Sequence, residues 1–181
     1  MNQTLNTPTV QPPSRAFKWW HGALVFFAAN IISVLPAGVN GDEAFYNNFT
    51  RPAIAPPDWL FAPMWLFLNI TSIIALSIVV NSRPKSPERR AVIALEGIGW
   101  VLFAVFNTLY FWMKSPVLGA VDTVLGLVVG GLSLILAARI DRRAALLIGL
   151  RVAWLLLATY VSVYVALNNA DPFLSGLFGG R

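Results

Sequence analysis

Three ionisable residues, Glu96, Asp122 and Arg151, stand inside long apolar runs and are the first places to look for chemistry. A charge in such a run is costly unless it is paired or wetted, so each marks a structural pair or a functional site. Glu96 lies five residues past the expected start of the third apolar segment, and Arg151 seven past that of the fifth. At 1.5 Å per residue both sit about 8–10 Å deep from the same side. They can form an ion pair between two helices; alternatively, Arg151 snorkels to the headgroups while Glu96 is protonated or wetted by a cavity. Asp122 is about five residues into the fourth segment from the opposite side, where it can meet Lys114 or face water. No nucleophile–base pair, phosphate loop or carboxylate dyad is legible, so hydrolysis and phosphoryl transfer have no support. The absence of cysteine and the single histidine, His21, exclude disulfides and thiolate sites, and no metal site is expected.

Aromatic residues are the other candidates, with seven Trp, twelve Phe and four Tyr in the chain. Trp19, Trp20, Trp59 and Trp112 fall at segment ends, where an indole anchors in the membrane interface. Trp65, Trp100 and Trp154 are six, nine and ten residues inside their segments. There an indole either packs in the core or lines a pocket for a flat, largely apolar ligand, its N–H free to bond a polar edge.

The elements that must position these residues follow from composition. Hydrophobic residues make up 57% of the chain and charged ones 12%, with a mean hydropathy of +0.67. A soluble domain carries about 25% charged residues, so this is an integral membrane protein. The apolar runs have helix-spanning length rather than the alternation of barrel strands. They predict an all-α bundle of five transmembrane helices, at about 19–39, 59–80, 91–112, 117–138 and 144–167. Residues 1–14 are polar and proline-rich and predict a disordered tail, while 169–181 form a second, C-terminal tail. The first run could pass for a signal peptide, but its length, the Trp19-Trp20 pair and Pro36 favour a retained helix.

The net charge of +5 reflects topology rather than nucleic-acid binding. Nine basic residues (Arg15, Lys18, Arg83, Lys85, Arg89, Arg90, Arg139, Arg142, Arg143) fall on one side of the five crossings, against Arg51, Lys114 and Arg181 on the other. The N-terminus is thus expected in the cytoplasm and the C-terminus outside. No inverted repeat of the transporter kind is evident. Small residues recur in the fourth segment at Gly126, Gly130, Gly131, Ser133 and Ala137. They suit close helix packing within the bundle or, on the alternative reading, a homodimer.

Between the first two helices lies a proline-rich stretch with Pro52, Pro56, Pro57 and Pro63. Proline cannot continue a helix but suits its approach and first turn, so this stretch is a stiff lid leading into the second helix. Arg51-Pro52, Pro56-Pro57-Asp58-Trp59 and Phe61-Ala62-Pro63-Met64-Trp65 stand in an order that resembles the TspO/MBR family of tryptophan-rich sensory or translocator proteins. The likeness continues with Asp122, Asp141, Trp154 and Ala158-Thr159, covering roughly Phe45 to Asn169. It implies five transmembrane helices, frequent dimerisation and a pocket beneath the first loop for porphyrins or haem-like tetrapyrroles. In some members the pocket takes sterols or synthetic aromatic ligands. No cofactor is required. Light-dependent porphyrin breakdown has been proposed for some bacterial members, and Trp65 and Trp154 hold the positions implicated in it. The implied site comprises Trp65, Trp154, Ala158, Trp100, Asn107, Arg151 and Glu96, under a lid of Pro52, Pro56, Pro57 and Trp59.

The chain departs from the family pattern at several of these positions. Ala53 and Ile54 stand where tryptophan is usual, Leu150-Arg151 replaces a proline-tyrosine pair, and Ser162 an asparagine. Tyr160 and Tyr164 have no basic residue within the next five positions, so the sterol motif is missing. In the third helix, Glu96/Trp100 and Phe103/Asn107 are alternative registers for the family's polar series. Arg151 is expected to make the cavity more cationic and to favour a tetrapyrrole's propionates. The resemblance therefore implies a membrane protein binding a planar hydrophobic ligand, in a bacterial inner membrane. Porphyrin degradation at the same pocket, and a structural protein whose pocket has closed, are the alternatives.

The lack of native cysteine makes the topology directly testable. In intact cells Asn48→Cys is expected to react with a membrane-impermeant maleimide and Ser86→Cys only after permeabilisation. The reverse pattern would overturn the assigned orientation.

Overall fold

The computed structural model describes residues 17–40, 48–82 and 86–178. The expected N-terminal tail lies outside these residues. Among the described residues six α-helices follow in order: α1 (Trp19–Asn40), α2 (Phe61–Asn81), α3 (Pro87–Asn107), α4 (Pro116–Ala137), α5 (Arg142–Asn168) and a short α6 (Pro172–Phe178). A 3₁₀ turn (Asp58–Leu60) precedes α2, a π-helical turn (Thr108–Trp112) extends α3, and no strand occurs among the described residues. Five of the helices are long and apolar enough to span a bilayer. Their outward faces carry large apolar side chains such as Leu24, Phe27, Ile74, Val101, Val128 and Leu156. Lipid covers such a surface as water could not.

Polar caps set where the helices start. Ser86 accepts from Arg89 N at 3.2 Å with Pro87 in the first turn, and Ser115 accepts from Leu118 N at 3.1 Å with Pro116 following. Asp141 accepts from the backbone of Arg143 and Ala144, at 2.7 and 3.1 Å. The third helix accordingly begins at Pro87, four residues earlier than its apolar run suggested. The charges at 88–90 are tolerated because Arg89 turns back: its Nε donates to Val79 O at 3.1 Å and its guanidinium also reaches Val80 O. These carbonyls lie in the last turn of α2, past the reach of the i+4 ladder. Val79 O also accepts from Ser82 N at 3.2 Å and Ser82 Oγ at 2.7 Å, and the buried Arg89 side chain ties this helix end to the start of α3.

The same helix leaves the α pattern at its other end. Met113 N donates to Thr108 O at 2.9 Å, a five-residue step that widens the turn, and Lys114 takes a positive φ of 52° before α4 begins. Gly119 allows the widened turn to pack closely. A Cβ there would lie 2.5 Å from Tyr110 Cδ2.

The two ends of the bundle differ. At the end away from the lid, Ala75, Val79, Val92, Ala137, Ala144, Ala145 and Ile148 form a tight core of mostly small side chains. Gly126 and Gly130 face Leu155 of α5, and Gly130 also meets Val152, so both serve packing within the bundle. At the lid end, α1 is held to the others by polar ties as well as by apolar packing. Asn107 Nδ2 donates to Ser33 O and Oγ at 2.9 and 3.1 Å, and Asn69 Nδ2 lies 3.5 Å from Asn30 Oδ1.

The expected C-terminal tail has structure of its own, anchored by Asp171. One carboxylate oxygen accepts from Ser115 Oγ at 2.6 Å and Val117 N at 3.0 Å, and the other from Leu174 N at 2.8 Å. A single side chain thereby caps α6 and docks it on the start of α4. Removing a buried charged acceptor that serves three donors costs roughly 2–3 kcal/mol. Asp171→Ala is expected to lower unfolding stability in detergent by that amount and to speed hydrogen exchange at the Val117 amide.

Candidate functional site

A cavity of about 770 Å³ occupies the lid end, walled by all five long helices and roofed by Arg51, Ala55, Pro56 and Asp58 of the proline-rich segment. Its volume falls within the range of about 300–1,000 Å³ usual for small-molecule sites. The wall is mainly aromatic. Trp65 from α2 and Trp100 from α3 both meet the Phe103 ring, at centroid distances of 5.5 and 6.0 Å. Phe106 and Tyr110 stack nearly parallel, 5.5 Å apart and 11° off plane. Among these rings stand a few polar groups: Asn30, Ser33, Asn69, Asn107, Asp122 and Arg151.

The roof is pinned at several points. Thr50 and Asn169 exchange hydrogen bonds, Thr50 N to Oδ1 at 2.8 Å and Nδ2 to Thr50 O at 3.0 Å, which fastens the lid to the end of α5. Arg51 pairs with Asp58 at 2.5 Å across the proline turn, and Ala55 N donates to Pro52 O at 2.9 Å. Pro52 is buried and Pro56 touches the cavity, whereas Pro57 and Trp59 point outward, Trp59 with 72% of its surface exposed.

The floor contains the buried ion pair. Arg151 Nη2 lies 2.6 Å from Glu96 Oε1, which also accepts from Ser133 Oγ at 2.6 Å. Glu96 Oε2 accepts from Ser72 Oγ at 3.0 Å, and Ser72 Oγ in turn accepts from Arg151 Nη1 at 2.9 Å. All four residues are buried, and they come from α2, α3, α4 and α5. The pair is therefore the structure's choice over a snorkelling Arg151. It also corrects the expectation of a cationic cavity: Arg151 lines the wall, but Glu96 directly behind it compensates its charge.

Of the residues anticipated for the site, Trp65, Trp100, Asn107, Arg151 and Ala158 line the cavity together. Glu96 and Trp154 stand behind the wall, Trp154 edge-on to Phe61 at 5.6 Å. Trp100, Phe103 and Asn107 share one face of α3, since steps of three and four residues return to the same side of a helix. Asp122 meets neither of its expected surroundings. It is only 6% exposed, lines the cavity, and leaves Oδ1 without a hydrogen-bond partner. Asn30, Ser33 and Asn69 were not anticipated, because single small polar residues in apolar runs carry no spacing signal.

The TspO/MBR family profile matches residues 22–167. This chain belongs to the TspO/MBR family. It is 32% identical to the tryptophan-rich protein TspO of Chlorobaculum tepidum over 145 residues, 80% of this chain and 89% of the relative. It is 26% identical to the protein of the same name from Archaeoglobus fulgidus over 149 residues, 78% of this chain and 95% of the relative. The bundle of five membrane-spanning helices accords with that membership. Within the TspO/MBR frame, Glu96 and Arg151 form a pair that replaces the usual tyrosine on α5 with a charge and supplies its counter-charge from α3.

Breaking a buried pair from one side leaves an uncompensated charge, at a cost of about 3–5 kcal/mol. Glu96→Gln and Arg151→Met are each expected to destabilise the protein by about that much. The Glu96→Met/Arg151→Met double variant should recover most of the loss, read by thermal unfolding in detergent. A double variant no more stable than either single one would count against the pair.

Proposed function

We propose that this chain is a TspO-like integral membrane protein that takes a planar, hydrophobic ligand of the porphyrin or tetrapyrrole class into its bundle. The ligand then serves a sensory, regulatory or transport-related role. The observation that carries this reading is the cavity of about 770 Å³, open beneath the lid and walled by Trp65, Trp100, Phe103, Phe106 and Tyr110. Flat aromatic surfaces favour a flat partner, because stacked and edge-on ring contacts add to the gain from burying apolar area. A bundle whose pocket had closed would have filled this space with side chains.

The membrane assignment is a bacterial inner membrane with the N-terminus in the cytoplasm, supported by the nine-to-three division of basic residues. The lid then faces away from the cytoplasm and the cavity opens toward that side.

The test is quenching of intrinsic tryptophan fluorescence by the neutral dimethyl ester of protoporphyrin IX in the dark, with Trp65→Phe and Trp154→Phe in parallel. Saturable quenching is expected, with affinity reduced several-fold by Trp65→Phe, which touches the cavity, and less by Trp154→Phe, which lies behind Phe61. Quenching that rises linearly, or that ignores both substitutions, would sink the proposal.

A further inference from the structure

The charge pattern of the cavity points to what the ligand must carry. Among the described residues, four carboxyl or guanidinium side chains reach the wall: Arg51, Asp58, Asp122 and Arg151. Arg51 is paired with Asp58 at 2.5 Å, and Arg151 with Glu96 at 2.6 Å. Asp122 makes no ion pair among the described residues, and its Oδ1 accepts no hydrogen bond. Of the three carboxyl groups Asp58, Glu96 and Asp122, Asp122 alone has no cationic partner among the described residues.

Its position is defined by its neighbour. Thr159 Oγ1 donates to the carbonyl of Thr123 at 3.2 Å, which puts Thr159 of α5 level with Asp122 and Thr123 of α4. Arg151 is eight residues earlier on α5, about 12 Å farther from the lid at 1.5 Å per residue. The cavity therefore has two polar poles: a charge-neutral donor pole at Arg151–Glu96 on the floor, and an acidic pole at Asp122 nearer the lid. A carboxylate buried among apolar side chains at membrane depth is costly without a partner. Among the described residues, backbone and neighbouring side chains offer Oδ1 none, so the missing partner falls to whatever occupies the cavity.

We propose that Asp122 is a specificity-determining residue that selects ligands presenting a protonated amine or other strong N–H donor near the lid end, and that the pocket discriminates against anionic carboxylated ligands. The inference rests on the reading of this cavity as the binding site. It makes a different choice from the propionate preference that Arg151 suggested in the sequence, because Glu96 has already taken that charge.

The experiment compares three protoporphyrin IX derivatives on the full chain in nanodiscs: the free diacid, the neutral dimethyl ester, and the bis(2-aminoethyl) amide, which is cationic. The wild type is expected to bind the amide about tenfold or more tighter than the ester, as a charge-assisted hydrogen bond would give, and the diacid most weakly. Asp122→Asn, which keeps shape and removes charge, should bring the affinities for amide and ester within threefold of each other; Asp122→Glu should retain the preference. An amide preference that survives Asp122→Asn, or a diacid that binds best, would overturn the inference.

A second probe, 9-aminoacridine, is flat, cationic at neutral pH and much smaller than a porphyrin. If neither the ester nor the amide binds the wild type, the tetrapyrrole reading fails by itself. Binding of 9-aminoacridine that Asp122→Asn abolishes then upholds the selection for amines, and binding that is absent or indifferent to the substitution overturns it.

Discussion

The buried pair between Glu96 and Arg151 is the constraint on which the rest of the bundle depends. Two charges withdrawn from water at membrane depth are tolerable only if each finds the other and their remaining lone pairs and protons are met. Ser72 and Ser133 supply those contacts, so the four residues must arrive together from four helices. No slide of one helix by a turn can keep the set intact. The pair thereby fixes the relative heights of α2, α3, α4 and α5 more stringently than apolar packing against equally apolar lipid could.

That register determines what happens on either side of it. Toward the far end, alanines and small residues let the backbones close in around Val79, Val92 and Ile148. Toward the lid, the same helices carry tryptophan, phenylalanine and tyrosine, whose bulk holds the backbones apart and leaves a cavity. The π turn at Thr108–Trp112 widens α3 at this level and brings Tyr110 and Phe111 into the wall. Such turns occur often at functional sites, because the extra residue redirects side chains without ending the helix. The proline segment closes the top through the Thr50–Asn169 exchange and the Arg51–Asp58 pair, which hold its short stiff turns in place.

Much of the architecture was legible because membrane burial leaves few ways to satisfy a backbone. Apolar runs of spanning length must be helices, and their number and approximate ends follow from where the charges stop. The boundaries moved where a cap or a side chain outweighed hydropathy. Ser86-Pro87 started α3 early because Arg89 had carbonyls of α2 to bond, and Asp171 ordered a segment that composition alone describes as a tail. The candidate site was legible in part. Trp65, Trp100, Asn107, Arg151 and Ala158 converge on the cavity, while Trp154 stops one ring short of it, behind Phe61.

The amino-acid sequence by itself determined the class, the number of crossings, the lid and the identity of the three intramembrane charges, since each depends on local composition and on an order of residues along the chain. Only the tertiary structure decided how those charges are partnered. Glu96 and Arg151 are 55 positions apart and Ser133 lies between them in the chain, so their meeting is a matter of helix register and facing. The same register left Asp122, which the sequence offered Lys114 or water, in the wall of an aromatic cavity, its Oδ1 without a partner among the described residues. Charge is written in the sequence, but compensation depends on distances of a few ångströms in a medium that does not screen, and those distances are set by the packed bundle.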